Sequence, residues 1–201
     1  MKRNIIVLAL FLFAIQVQAQ DMNLINRIKV ANGQVKSFEA DLSNTMVKPK
    51  KTISQNGKVY FVSPHYFSAQ FTTGKYMIAN ENKIKMDIGR FRGTFRLRDG
   101  GIMQSLTNIF LYAFQGRVQE LANDNNYNIA TSTEGNYYVI TETAKRKKII
   151  GIGYKKAVFK YNKDDLLLKE IVLYDYSDNV DTYTVSNVKY NVTINTSIFY
   201  F

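Results

Sequence analysis

Cys and His, two of the side chains most used as nucleophiles, general bases and metal ligands, are almost absent from this 201-residue sequence. With no Cys and one His, it excludes thiol nucleophiles, thiolate zinc sites, iron–sulfur clusters and metal sites built on two or three histidines. The histidine, His65, follows Pro64 and lies two positions after Ser63. This spacing is too local for the usual nucleophile–base pair, so we predict that His65 is an exposed turn residue.

The glycines and carboxylates do not form a catalytic or cofactor motif either. Gly151 and Gly153 resemble the start of a dinucleotide fingerprint, but Lys156 stands where the third glycine belongs and no helical pattern follows. Several aspartates fall in or near predicted turns, where their short-range hydrogen bonds are favoured: Asp164, Asp165, Asp175, Asp178 and Asp181. A calcium-binding loop is an alternative there, but the spacing fits no loop pattern. We therefore predict no enzyme activity, no cofactor and no metal.

Basic residues form the most distinctive polar pattern in a chain of formal net charge +11. Lys145, Arg146, Lys147 and Lys148 form a continuous run between two predicted strands. A second group alternates with apolar residues and predicts a strand with one basic and one apolar face: Arg90, Arg92, Arg96 and Arg98 with Phe91, Phe95 and Leu97. Such surfaces attract anionic lipid head groups or acidic proteins. We predict that residues 145–148 face a membrane or a partner protein; a solvated hairpin is the alternative.

Residues 1–19 have the pattern of a cleavable signal peptide. Lys2 and Arg3 precede the apolar run Ile5–Ile15, which is too short to span a bilayer, and a small-residue pattern ends at Ala19. We expect cleavage after Ala19 and export, with an uncleaved anchor as the alternative. Export argues against nucleic acid as a partner. Bacterial lipoproteins carry their acyl groups on a Cys that this sequence lacks, so we expect no lipid anchor.

Most of the remaining chain has the period-two pattern of half-buried strands. In the first strand Phe38, Ala40 and Leu42 alternate with polar residues, and later strands are separated by turn residues such as those at 162–165 and 177–179. The other predicted strands are Gly57–Val62, Tyr66–Phe71, Lys75–Ala79, Lys83–Ile88, Phe91–Arg98, Tyr127–Thr131, Tyr137–Thr143, Ile149–Tyr161, Leu166–Tyr176 and Tyr183–Asn191.

Two segments have the apolar spacing of amphipathic helices. The first is Asp21–Ala31, where Asp21 can cap the helix and Gly33 can end it. The second is Gln104–Phe114, with Ile109 and Phe110 in its apolar stripe. About ten antiparallel strands in one domain are expected to curl into a sandwich or a barrel, with both helices burying their stripes against the sheet.

The order of these elements and several short motifs resemble the LolA family of periplasmic lipoprotein carriers. The segment 35–42, Val-Lys-Ser-Phe-Glu-Ala-Asp-Leu, is similar to a strand of the SFxAxFxQ type that follows the first helix in that family. The segment 57–67 is similar to the family's GxLxxxRPxxFxW-type hairpin, and the close of the chain, with the turn 177–181, Asn191 and Phe199, matches as well. The resemblance covers nearly all of residues 20–201, as a single domain.

The resemblance implies a mainly β fold, an incomplete antiparallel barrel of ten or eleven strands with a helical lid over an apolar cavity. The family carries acylated lipoproteins through the Gram-negative periplasm, from an inner-membrane ABC-type releasing complex to an outer-membrane receptor, and a monomeric carrier of this kind needs no cofactor. Phe67 matches the aromatic residue that faces the family's cavity. The cavity and lid residues that this implies are Leu24, Ile28, Phe38, Leu42, Phe61, Phe67, Ala69, Phe71, Ile109 and Phe110, and an ordinary filled core is the alternative.

Two positions depart from the family pattern. The Arg before the Pro, which in the family bonds lid carbonyls and helps to hold the empty form closed, is Ser63, and the Trp that usually follows the cavity Phe is Ala69. A Ser hydroxyl cannot replace the five donors of a guanidinium group. Three hypotheses stay open: the main lipoprotein carrier, a paralogue that moves a free lipid, glycolipid or lipid-linked pigment, and a periplasmic sensor of mislocalised lipoproteins that regulates a membrane partner.

Overall fold

The computed structural model describes residues 21–88, 92–97, 102–121, 127–145 and 153–201, with the side chains of 102–106 left aside. The predicted signal peptide, Arg90, Phe91, Arg98, residues 146–148 and Gly151 therefore lie outside the described residues. Among the helices of the described part, none is long and apolar enough to cross a membrane.

In the described part of the chain, two α-helices and two short 3₁₀ helices accompany the strands. Helix α1 (Met22–Gly33) begins as predicted after Asp21, whose Oδ1 accepts a hydrogen bond of 3.0 Å from the Leu24 amide. Helix α2 (Ile102–Phe114) is followed by a 3₁₀ helix at Val118–Leu121, and a second 3₁₀ helix forms at Thr196–Phe199.

Among the described residues, eleven strands form one antiparallel sheet, which is within the predicted number. Their bounds are β1 Ser37–Lys48, β2 Lys51–Val62, β3 Tyr66–Phe71, β4 Tyr76–Asn80, β5 Lys83–Asp87, β6 Arg92–Arg96, β7 Tyr127–Glu134, β8 Tyr137–Ala144, β9 Tyr154–Asn162, β10 Leu168–Asp175 and β11 Val180–Tyr190. The spatial order is β6-β5-β4-β3-β2-β1-β11-β10-β9-β8-β7, so β6 and β7 are its edges and the sheet is an incomplete barrel.

Because all neighbouring strands are antiparallel, their turns alternate between the two ends of the sheet. Strands β1, β3, β5, β8 and β10 finish at one end, which we call the upper end. Strands β2, β4, β6, β7, β9 and β11 finish at the opposite, lower end. The connections β1–β2, β3–β4, β8–β9 and β10–β11 are therefore neighbours at the upper end.

The β1–β2 hairpin is longer than the sequence pattern indicates, because β2 begins at Lys51 rather than at Gly57. In the added segment Thr52, Ser54 and Asn56 are exposed, and the segment pairs with β1 without an alternating apolar pattern. Strand β10 begins at Leu168 rather than at Leu166, since Leu166 has a positive φ of 59° that interrupts the extended backbone.

The core lies between the inner face of the sheet and the two helices. The alternating residues Phe38, Ala40 and Leu42 are buried on that face, as their spacing predicts. The outer face has a smaller apolar contact near its lower end. There Phe199, two residues before the last residue, is fully buried against the ring of Tyr66. There the Asn80 side-chain amide donates to the Phe199 carbonyl over 2.8 Å.

Candidate functional site

The interface between α2 and the inner face of the sheet is built from aromatic rings. The ring of Phe67 stacks on Phe110 and on Phe114, with centroids 5.5 and 5.8 Å apart. Phe110 also meets Tyr183 of β11 edge-on at 5.0 Å, and Phe114 meets Phe38 at 4.8 Å. These contacts join the helix to three strands, β3, β11 and β1, so these two phenylalanines hold α2 against the sheet.

An apolar cavity remains beside these rings. Its volume is about 30 Å³, room for roughly one water molecule, whereas pockets that hold small ligands have about 300–1,000 Å³. In this structure the side chains of α2 fill most of the space against the sheet. The cavity is lined by Leu42, Val59, Phe67, Ala69, Phe71, Met77, Ile88, Phe110, Phe114, Tyr154, Ile171, Tyr183 and Val185.

Half of the predicted cavity and lid residues line this cavity: Leu42, Phe67, Ala69, Phe71 and Phe110. The others are core residues in this structure. Phe38 and Phe61 stack on each other and contact Phe114, while Leu24 and Ile28 lie on the buried face of α1. Ile109 is half-buried against the core.

Sequence reasoning missed several lining residues that simple periodicity could have found. Val59 lies two positions before Phe61 on β2, and Phe114 lies one helical turn after Phe110. Tyr183 and Val185 alternate inward along β11 in the same way. Tyr154 and Ile88 lie at strand ends, where no pattern of neighbouring residues indicates which way they face.

At the upper end a second, wider and more polar space of about 190 Å³, which we call the mouth, lies next to the cavity. Phe71, Ile88, Tyr154 and Tyr183 line both spaces, so these four side chains lie at the boundary between them. The mouth is also lined by Asn44, Met46, Lys48, Ile53, Gln55, Lys75, Asp175, Asn179 and Asp181.

The buried Asp175 at this mouth builds the β10–β11 turn. Its Oδ1 accepts hydrogen bonds from the amides of Ser177 and Asn179 over 2.7 and 2.9 Å, and its Oδ2 accepts from the Asn179 side chain over 2.7 Å. This is the turn role predicted for the aspartates. No group of His, Asp and Glu able to hold a metal ion is found among the described residues.

Among the described residues, three hydrogen bonds attach the C-terminal ends of the helices to the sheet and its lower turns. The Gln115 side chain, just after α2, donates to the Pro64 carbonyl over 2.9 Å. The fully buried Tyr161 of β9 donates its hydroxyl to the Ala113 carbonyl over 2.9 Å, and Asn32 of α1 donates to the Leu166 carbonyl over 2.8 Å. These bonds hold the helices at the end of the sheet opposite to the mouth.

An ion-pair network joins α1 to the segment that follows α2. Arg117 is bonded to Glu120 through two nitrogens, and Lys29 of α1 lies 3.4 Å from the same carboxylate. The Arg117 guanidinium is the main cause that lowers the pKa of Glu120 below its usual range, and Lys29 contributes in the same direction. The pair in turn raises the pKa of Arg117. Gly116, with φ 65°, brings this segment so close to α1 that a Cβ would lie 2.6 Å from the Ile28 carbonyl oxygen.

The other residues considered for chemistry are placed as follows. His65 is exposed in the turn between β2 and β3, as predicted. Arg92 and Arg96 are exposed on β6 while Phe95 between them is half-buried, which confirms the alternation. Lys145 is exposed directly after β8 at the upper end.

No family model matches the sequence, and no curated protein is significantly similar to it. Solved structures that the chain is similar to include a LolA superfamily protein from Nitrosomonas europaea, with 11% identity, a TM-score of 0.44, and coverage of 90% of this chain and 97% of that chain. They also include an outer-membrane lipoprotein-sorting domain from Vibrio parahaemolyticus, with 9% identity, a TM-score of 0.43 and coverage of 88% and 94%. The Pseudomonas aeruginosa MucA/MucB complex matches with 9% identity and a TM-score of 0.48, over 88% of this chain and 59% of that chain.

Proposed function

We propose that this protein is a periplasmic carrier that binds acyl chains between α2 and the inner face of the sheet. The observation that carries the proposal is the stacking of Phe110 and Phe114 on Phe67 beside an apolar cavity, with a wider mouth next to it. A helix held to a sheet mainly by apolar contacts can exchange those contacts for a flexible hydrocarbon chain. In this proposal α2 is the lid.

The exchange is energetically reasonable. Burying one sixteen-carbon acyl chain contributes about 12 kcal/mol, at about 0.8 kcal/mol per methylene. Lifting α2 exposes the buried Phe110, Leu111 and Phe114, which costs about 1.5–3 kcal/mol each. A single acyl chain therefore provides more free energy than the exposure of these side chains costs, and the sheet face that α2 leaves is covered again by the ligand.

The route of the cargo follows from the sequence and its resemblance to the LolA family. Residues 1–19 direct the chain across the inner membrane, with cleavage after Ala19, and a soluble carrier with an apolar pocket then moves acylated lipoproteins to the outer membrane. In this proposal an inner-membrane ABC-type complex loads the carrier and an outer-membrane receptor unloads it. The protein acts by binding rather than by catalysis.

The cargo can be identified by native mass spectrometry of the protein purified from its own periplasm, under conditions that retain bound lipid. Acylated N-terminal peptides are expected. A free lipid, glycolipid or pigment would instead support the paralogous carrier. Protein that is recovered empty and does not bind a fluorescent long-chain fatty acid in titration would overturn the acyl-binding proposal.

Lid movement can be measured separately, because the chain has no Cys and labels can be introduced without background. Spin labels at Asn108→Cys on α2 and Ser43→Cys on β1 report the distance between the lid and the sheet. We expect this distance to increase on addition of the fatty acid. The matched pair Ser43→Cys and Ser186→Cys, on the adjacent strands β1 and β11, should keep its distance.

A further inference from the structure

We propose that the upper end of the sheet docks on the surface of an anionic lipid bilayer. The docking surface, which we call the basic rim, consists of Lys48, Lys50, Lys51, Lys75 and Lys145. This inference rests on the proposed function, because the basic rim would face the surface from which the cargo enters. The lysines themselves lie outside the apolar cavity.

The topology brings these lysines together from distant parts of the sequence. Lys48 pairs with Lys51 across the tip of the β1–β2 hairpin, and Lys50 lies in the turn between them. Lys75 lies in the β3–β4 connection, where its carbonyl accepts from the Phe71 amide over 2.8 Å. Both Lys48 and Lys75 line the mouth. Lys145 follows β8, which finishes at the same end.

The positive charge of the basic rim is not neutralised by the described part of the chain. None of the five lysines forms an ion pair with a described carboxylate. The carboxylates at this end are either buried in the mouth, as Asp175 and Asp181 are, or paired with another cation, as Asp87 is with Arg92 and Asp178 with Lys155. The outward field at this end is therefore positive.

Two features favour a lipid surface over an acidic protein as the occupant. Val47 is 45% exposed beside Lys48 at the hairpin tip, so the rim offers an apolar side chain among its cations, as interfacial segments do. Two lysines of the rim, Lys48 and Lys75, also line the mouth, which lies next to the apolar cavity. A bilayer face complements both features, because anionic head groups attract the lysines and the layer beneath them is apolar.

The test is co-sedimentation of the mature protein with vesicles of phosphatidylethanolamine and phosphatidylglycerol, and with vesicles of phosphatidylcholine alone. We compare the wild type with K48Q/K50Q/K51Q and with the control K36Q/K83Q/K163Q. The control removes the same charge at the lower end, where Lys36 precedes β1, Lys83 begins β5 and Lys163 lies in the β9–β10 turn. Each Lys near an anionic bilayer contributes about fivefold in affinity, so the tip variant should bind on the order of 100-fold more weakly.

Binding of the wild type and the control to anionic vesicles, with loss in the tip variant and at high salt, supports the proposal. Equal binding to neutral vesicles, or equal loss in both triple variants, overturns it. Binding to poly-glutamate but not to anionic vesicles also overturns it and assigns the rim to an acidic protein. Fatty-acid titration without vesicles separates the two proposals, because the double variant K50Q/K51Q, which keeps the mouth-lining Lys48, should still bind the fatty acid. A wild type that docks but binds no fatty acid contradicts the carrier function alone.

Discussion

The side-chain amide of Gln115 donates a hydrogen bond to the carbonyl oxygen of Pro64, and thereby bonds the end of α2 to the turn between β2 and β3. The amide oxygen of Gln115 accepts in turn from Nη1 of Arg117 over 2.9 Å, which orients it. In the LolA resemblance an Arg before this Pro donates to the lid, and here Ser63 takes its place. In this structure the donor of the bond lies just after α2 and the acceptor lies in the turn.

This bond predicts a change in lid opening for Gln115→Met, which keeps the length of the side chain and removes the donor. A hydrogen bond contributes about 1 kcal/mol net, so the open population should rise about fivefold. The rate of fatty-acid uptake, measured by stopped-flow fluorescence, should rise by the same factor.

Gln119→Met is the matched control for this prediction. Gln119 lies in the 3₁₀ helix after α2, is half-buried, and forms no hydrogen bond to a lower turn in the described part of the chain. Its uptake rate should equal that of the wild type. Equal rates in all three proteins would show that the Gln115 bond does not restrain the lid.

The sequence-based expectations succeeded where a local pattern determines the structure. Alternation in β1 placed Phe38 and Leu42 on the inner face, and the spacing of Ile109 and Phe110 predicted α2. The turn around Asp175 was predicted because Asp stabilises turns through bonds to neighbours in sequence.

The site itself depends on contacts that no local pattern contains. The hydrogen bond from Gln115 to Pro64 joins residues 51 positions apart, and the bond from Asn32 to Leu166 joins residues 134 positions apart. Phe61 faces inward whether it lines the cavity or fills the core. Which of the two it does depends on where α2 places Phe114, whose ring contacts Phe61. The basic rim likewise arises from strand order, which the sequence pattern leaves undetermined.

Filling the cavity should weaken acyl binding. Ala69 is buried on the cavity wall, and Ala69→Phe would occupy the remaining space at a cost of about 1–3 kcal/mol in stability. Affinity for the fatty acid, measured by titration of the folded variant, should fall at least tenfold. The control Ala130→Phe on β7, outside the cavity lining, should bind normally, and normal binding by Ala69→Phe would place the acyl site elsewhere.

A buried charge on the same wall tests the site in a second way. Phe67 is 1% exposed, and Phe67→Glu places a carboxylate among apolar side chains, where desolvation disfavours it. We expect a less stable protein that binds no fatty acid. Circular dichroism first establishes that the variant is folded, and a folded Phe67→Glu protein with unchanged affinity would contradict the role of Phe67 in binding.

The close approach at Gly116 predicts that α1 and the end of α2 separate when a side chain is added. In Gly116→Ala the new Cβ would meet the Ile28 carbonyl oxygen at 2.6 Å, and φ is positive. Gly135→Ala is the control, because its φ of 51° is also positive but nothing lies within 4 Å of its Cβ. Urea unfolding should show a loss of about 1 kcal/mol for Gly135→Ala and a loss larger by at least 1 kcal/mol for Gly116→Ala. Equal losses would mean that α1 adapts to the Cβ without cost.

The hydrogen bond from Tyr161 to Ala113 predicts a pH dependence of stability at alkaline pH. Burial raises the pKa of Tyr161 well above its ordinary value of 10.0, and the charge of Glu142 acts in the same direction. A raised folded-state pKa means that this stabilisation is fully present below pH 10 and is lost as pH rises above it, by up to about 1.4 kcal/mol per pH unit.

Tyr161→Phe removes both the bond and the titrating group, so at pH 7 it should be about 1–2 kcal/mol less stable than the wild type. Urea unfolding from pH 7 to 11 should show this difference constant up to about pH 9.5 and then shrinking. The reason is that Tyr161 ionises in the unfolded wild type at alkaline pH, which favours unfolding, whereas the phenylalanine of the variant does not titrate. A difference that stays constant to pH 11 would show that Tyr161 ionises as readily in the folded protein as in the unfolded chain.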